Sequence, residues 1–212
     1  KETEHIGLMK LMGGYGGVLG QMIRTPETML TLGIMIIMSI CSMVNTTFWS
    51  IIATERIHIP AKSVGYFPFI RSAVMLLFFF ILVPRIKALR FKKPLILGFS
   101  VFIASQLLLI TTPEKGYFAL IISVLLEACS LSLISPLLDS MQVVMVDHEE
   151  RARIIAVLYV IVQAVSSPFG WIAGTLSGID HRLPFMMNIL LMVCGLLFTY
   201  CMSVTSAKKA AA

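Results

Sequence analysis

The sequence predicts an all-α integral membrane protein, a bundle of six transmembrane helices made of two inverted three-helix repeats. Three observations lead there. Hydrophobic residues make up 58% of the 212 positions and charged residues only 13%, with a mean hydropathy of +0.91. A soluble domain carries about 25% charged residues because its surface faces water, whereas a lipid solvent permits an apolar surface. The charges that are present fall in short segments between long apolar runs. Those runs have the length that a bilayer core of about 30 Å demands, roughly 20 helical residues.

Reading from charge to charge gives the elements in order. Residues 1–27 form a cytoplasmic or interfacial lead-in: Ile6 to Ile23 is apolar, but Lys10, Gln21 and the run GGYGGVLG make it a poor span, since glycine disfavours helix. Spans are then expected at 28–54, 63–84, 94–113, 116–146, 154–179 and 183–207, with 208–212 as a tail resembling a tag scar. With the N-terminus inside, twelve basic residues lie on the cytoplasmic side, among them Arg85, Lys87, Arg90, Lys92 and Lys93 of the second–third loop. Only four, Arg56, Lys62, Lys115 and Arg182, lie outside. The positive-inside rule therefore puts both termini in the cytoplasm of a cell membrane, of the bacterial inner-membrane type. Glu55-Arg56 after the first span and Glu150-Arg151 after the fourth hint at a duplication of three helices facing opposite ways.

The loop RIKALRFKKPLILG (Arg85 to Gly98) is similar to the basic loop joining the second and third helices of each half in the major facilitator superfamily. DHEERARIIAVLY (Asp147 to Tyr159) followed by SSPFGWIAGTL (Ser166 to Leu176) resembles that family's tenth-to-eleventh loop and eleventh helix, and LGQMIRTPETML resembles the approach to its seventh helix. The basic loop lacks the acidic residue and glycines of the family's best-formed version. The resemblance spans nearly the whole chain, as a C-terminal six-helix half. It implies a half-transporter that moves a small solute of unknown identity by alternating access, by symport, antiport or facilitation. A second six-helix half would complete it, either another copy or an N-terminal half.

Within the spans a few polar residues stand out. Glu127 has eleven uncharged residues on each side, and a carboxylate at that depth must face protein, water or a partner. It reads either as a proton-coupling or substrate-contacting acid or as a packing charge neutralised by Arg71. Arg71 lies about eight residues into the second span, a depth that permits such a pair. It is also open to a substrate anion or to snorkelling. Asp139, about 18 Å further along the fourth helix than Glu127, reads as a gating or interfacial acid. On the first span Ser42, Asn45 and Trp49 share a face. On the fifth, Tyr159, Gln163, Ser166, Ser167, Gly170 and Gly174 recur at three- and four-residue steps. Such a stripe serves either close helix packing or cavity lining. The third and sixth spans offer only Gln106 and Asn188, which points to a lipid-facing periphery.

Other chemistry is poorly supported. Cys41, Cys129, Cys194 and Cys201 lie in apolar runs without C-x-x-C spacing, and the histidines His5, His58, His148 and His181 fall in loops. No metal site, disulfide framework or cofactor is expected. The absence of H-E-x-x-H, G-x-S-x-G and phosphate-cradling glycine loops argues against an enzyme. The net charge of +6 belongs to membrane-flanking loops rather than to a nucleic-acid footprint. The alternative to a transporter is a six-helix membrane scaffold or assembly partner without a substrate path.

Overall fold

A computed structural model describes residues 26–82, 92–145 and 151–211, with side chains placed for 29–81, 93–141 and 154–201. Every regular element among the described residues is helical. α1 is Pro26–Ile51, continued by a π-helical turn at Ile52–Arg56. A one-turn helix at Ala61–Val64 leads into α2, Tyr66–Leu82. α3 is Lys92–Thr111, α4 Tyr117–Met145, α5 Arg151–Ile179 and α6 Leu183–Ala211. Six helices are long and apolar enough to cross a membrane. The lead-in before Pro26 and the basic loop around Arg85–Arg90 lie outside the described residues, and the tail is drawn into the last helix as far as Ala211.

The connections explain why the helices stop where they do. Pro60 precedes the one-turn helix, where its missing N–H costs no bond. His58 and Lys115 adopt left-handed backbone, with φ of 59° and 58°, which costs a non-glycine residue about 1–2 kcal/mol. The Lys115 N–H donates to Ile57 O at 2.9 Å, so the two strained loops brace one another. Arg56 Nη1 donates to Ile110 O at 2.9 Å, and His181 Nε2 lies 3.1 Å from Glu55 Oε2. The α1–α2, α3–α4 and α5–α6 connections are thereby tied together at one end of the bundle.

Side-chain packing forms two levels along the helices. Nearer the tied loops, Val44, Phe48, Ile52, Phe67, Leu120, Val124 and Phe185 interlock. Towards the other end, Ile34, Cys41, Phe99, Phe102, Ile134, Leu137 and Met192 do so. Because lipid is as apolar as these side chains, close van der Waals fit rather than hydrophobicity holds them. At the α3–α4 crossing a Cβ on Gly98 would lie 2.6 Å from Ile134 Cγ1, and Ser130 Oγ donates to Gly98 O at 2.8 Å. Only a glycine lets the two backbones approach that closely.

The packing partners set the layout. α4 packs on α2 and α3, α1 packs on α5 and α6, and α3 packs on α6. α1 and α4 touch lightly, and α2 and α5 stand on either side of them. α3 and α6 are better covered than the sequence suggests. Gln106 and Asn188, expected on a lipid-facing periphery, are 1% and 0% exposed. α2 is the least covered span, and α5 is next. Phe69, Phe80, Phe118, Trp171 and Leu190 protrude freely, a surface that suits hydrocarbon and not water.

Candidate functional site

Between α2 and α5, with α1 and α4 as its floor, runs a trough of about 860 Å³. α1 supplies Met35, Met38, Ser39, Ser42, Met43, Thr46 and Thr47. Most of these recur at three- and four-residue steps and so fall on one helical face. α4 contributes Leu131, Ser135, Leu138 and Asp139, α5 contributes Tyr159, Val162, Gln163, Ser166 and Ser167, and α2 contributes Met75. From Met35 to Thr47 the floor extends about 18 Å at 1.5 Å per residue. The volume falls within the range of small-molecule sites, roughly 300–1,000 Å³.

The hydrogen-bond state of the lining is uneven. Thr46 Oγ1 donates to Ser42 O at 2.7 Å, which absorbs its proton into its own helix. Ser166 is 2% exposed, yet its Oγ has no partner. A buried hydroxyl left unbonded costs about 1–3 kcal/mol, so a group arriving in the trough gains by meeting it. Asp139 is exposed to the trough and forms no ion pair with any described residue.

One helical turn beyond the trough lies a charged cluster. Arg71 precedes Met75 by four residues, Glu127 precedes Leu131 by four, and Trp49 follows Thr46 by three. All three are displaced towards the tied loops. Arg71 Nη2 donates to Glu127 Oε2 at 2.9 Å, with side-chain exposures of 23% and 3%. The guanidinium carbon sits 5.9 Å from the Trp49 ring centroid. That ring packs on Phe67 at a centroid distance of 5.2 Å. The geometry joins cation–π attraction to a charge-assisted hydrogen bond. Three buried polar atoms remain unsatisfied there: Trp49 Nε1, Arg71 Nε and Glu127 Oε1.

The residues singled out in the sequence therefore divide into three groups. Gln163, Ser166 and Asp139 line the trough. Glu127, Arg71 and Trp49 form a cluster one helical turn beyond it and outside its lining. Asn45 does neither: it accepts a 3.5 Å hydrogen bond from Asn188 Nδ2 and is 3% exposed, so its partner is another helix. The α5 stripe splits as well. Tyr159 to Ser167 face the trough, whereas Gly170 packs on Met43, whose Sδ would lie 3.3 Å from an added Cβ. Ser39, Thr46, Thr47, Ser135 and the four methionines went unread. The Ser39–Ser42–Thr46 spacing is the signal in the sequence that points to this face, offset by one helical position or more from Asn45.

Among the described residues no group of three or more His, Cys, Asp or Glu side chains converges to hold a metal ion. Compared with protein-family models, curated proteins and solved structures, the chain matches none.

Proposed function

We propose that this chain is one half of a secondary active or facilitative transporter, which carries a small solute by alternating access. The observation that carries the reading is the polar-lined trough at membrane depth, opening between the two least covered helices. Left against lipid, a charged residue costs roughly 2.5–3.5 kcal/mol at the bilayer centre on insertion scales, and less towards the interface where Asp139 is expected. A second six-helix half, either a copy or an N-terminal counterpart, would cover α2 and α5 and convert the trough into a midplane cavity. The packing partners also support two three-helix repeats. Exchanging α1–α3 with α4–α6 turns the α1–α5 contact into α4–α2 and the α1–α6 contact into α4–α3, and it returns α3–α6 to itself.

Asp139, in the trough, and Glu127, one helical turn beyond its other end, are the carboxylates proposed for proton coupling. One specific observation favours the alternative, a non-transporting scaffold or assembly partner: Glu127 is buried against protein and already holds Arg71. An open trough with an acid that forms no ion pair among the described residues weighs more heavily for transport.

The test is aqueous access in native membranes. In a background without the four native cysteines, single cysteines are placed at Ser42, Ser135 and Gln163, and at the lipid-facing Leu97 and Leu190. A charged, water-soluble thiol reagent is expected to modify the first three and spare the last two. If the trough positions stay unmodified while loop cysteines react, no water-lined path exists and the transporter reading falls.

A further inference from the structure

We infer that the trough selects an amphipathic organic cation, with Asp139 as its counter-charge and Tyr159 and the methionines as its apolar walls. This deepens the transporter reading and rests on it for the use made of the site.

Charge comes first. Of the residues lining the trough, Asp139 alone is an acidic or basic side chain of the Asp, Glu, Lys or Arg type. Arg71 is committed to Glu127 at 2.9 Å and lies outside the lining. Lys93, on the adjacent α3 at the same end of the bundle as Asp139, makes no ion pair with it. Lys62, Lys115 and Arg182 belong to the loops at the opposite end. The described lining therefore carries one negative charge and no positive one, which favours a cation over an anion within it.

The walls then narrow the class. Met35, Met38, Met43 and Met75 present flexible, polarisable thioethers that adapt to varied apolar shapes. Tyr159, on the α5 side of the lining, stands 56% exposed, and an aromatic ring can attract a positive centre. A small inorganic cation would need several converging oxygen ligands, and the described residues offer no such acidic cluster. The 860 Å³ volume suits a drug-sized molecule instead. Ser166 supplies the independent sign of a ligand, because its buried hydroxyl lines the trough without a partner. A polar substituent on the cation would satisfy it.

The test is equilibrium binding of radiolabelled tetraphenylphosphonium to the purified protein in detergent, with tetraphenylborate as an anion of the same shape. The expected result is saturable binding of the cation and none of the anion. Asp139→Asn should weaken the cation about tenfold or more, since one ionic contact in a part-solvated site is worth at least about one decade. Asp139→Glu should restore most of the affinity. Asp180→Asn, in the exposed α5–α6 loop, should leave it unchanged and so controls for micelle partitioning. Gel filtration and circular dichroism establish that each variant is folded. Equal binding of both ions, affinity indifferent to Asp139→Asn, or no binding of the cation by folded protein would each overturn the assignment. Asp139-dependent binding without uptake into liposomes would leave the cation site standing and sink the transporter reading alone. Uptake of neutral or anionic solutes unaffected by Asp139→Asn would do the reverse.

Discussion

Removing the Arg71 guanidinium should loosen α2 from the bundle, and the double change should largely repair it. α2 has few holds on its neighbours: among its described residues only Phe67 is buried, and the Arg71–Glu127 contact is its one ion pair. Two unit charges about 4 Å apart at an effective dielectric of 20 attract by about 4 kcal/mol. Arg71→Met also leaves Glu127, at 3% exposure, as an uncompensated buried carboxylate. Breaking a buried pair from one side costs about 3–5 kcal/mol, while replacing both partners with apolar residues is often neutral. On the scale of soluble chains of this size, roughly 2–4 °C per kcal/mol, the single variant should lose about 6–20 °C in Tm. Cys41 is 1% exposed and provides the readout, because a thiol-reactive dye reaches it only on unfolding; Cys129, Cys194 and Cys201 are first replaced by serine. Arg71→Met and Glu127→Met should each be destabilising, and the double variant should recover most of the loss. Strictly additive losses would mean that the pair contributes no coupling energy, and the attachment of α2 would have to be sought elsewhere.

The loop charges predict that impermeant labelling from outside intact cells marks cysteines placed at Lys62, Lys115 and Arg182 but not at Lys92 or Arg151; the reverse pattern would invert the topology. Gly98→Ala should destabilise the fold by about 1–3 kcal/mol, the usual cost of overpacking, because the new methyl meets Ile134 at 2.6 Å. Pairing it with Ile134→Val or Ile134→Ala should recover part of the loss in thermal melts. In a bilayer at low protein-to-lipid ratio, native mass spectrometry or photobleaching should find this chain associated with a second six-helix half. A solitary six-helix unit that still transports would refute the shared-cavity argument.

The sequence by itself determined the solvent of this protein and the number of its spans. Uncharged runs of about 20 residues have no other stable setting than a bilayer, and the cost of stray charges makes each one conspicuous. Glu127 and Arg71 were legible as partners for that reason: two lone charges at compatible depths have few alternatives. Facing was a different matter. In a soluble helix the apolar stripe identifies the inside, but here core and lipid are equally apolar, so periodicity finds a face without saying where it points. Ser42, Asn45 and Trp49 shared a face on paper, yet Ser42 lines the trough, Asn45 bonds Asn188 on α6, and Trp49 packs on Phe67 beside Arg71. The hydroxyls were quieter still, because serine and threonine can bond their own helix, as Thr46 does to Ser42, and so leave no sign of a cavity in the sequence. Only the tertiary contacts decided that α3 and α6 are covered while α2 and α5 stand apart. The gap between those two helices is what brings Asp139, Gln163 and Ser166 onto one wall-lined trough.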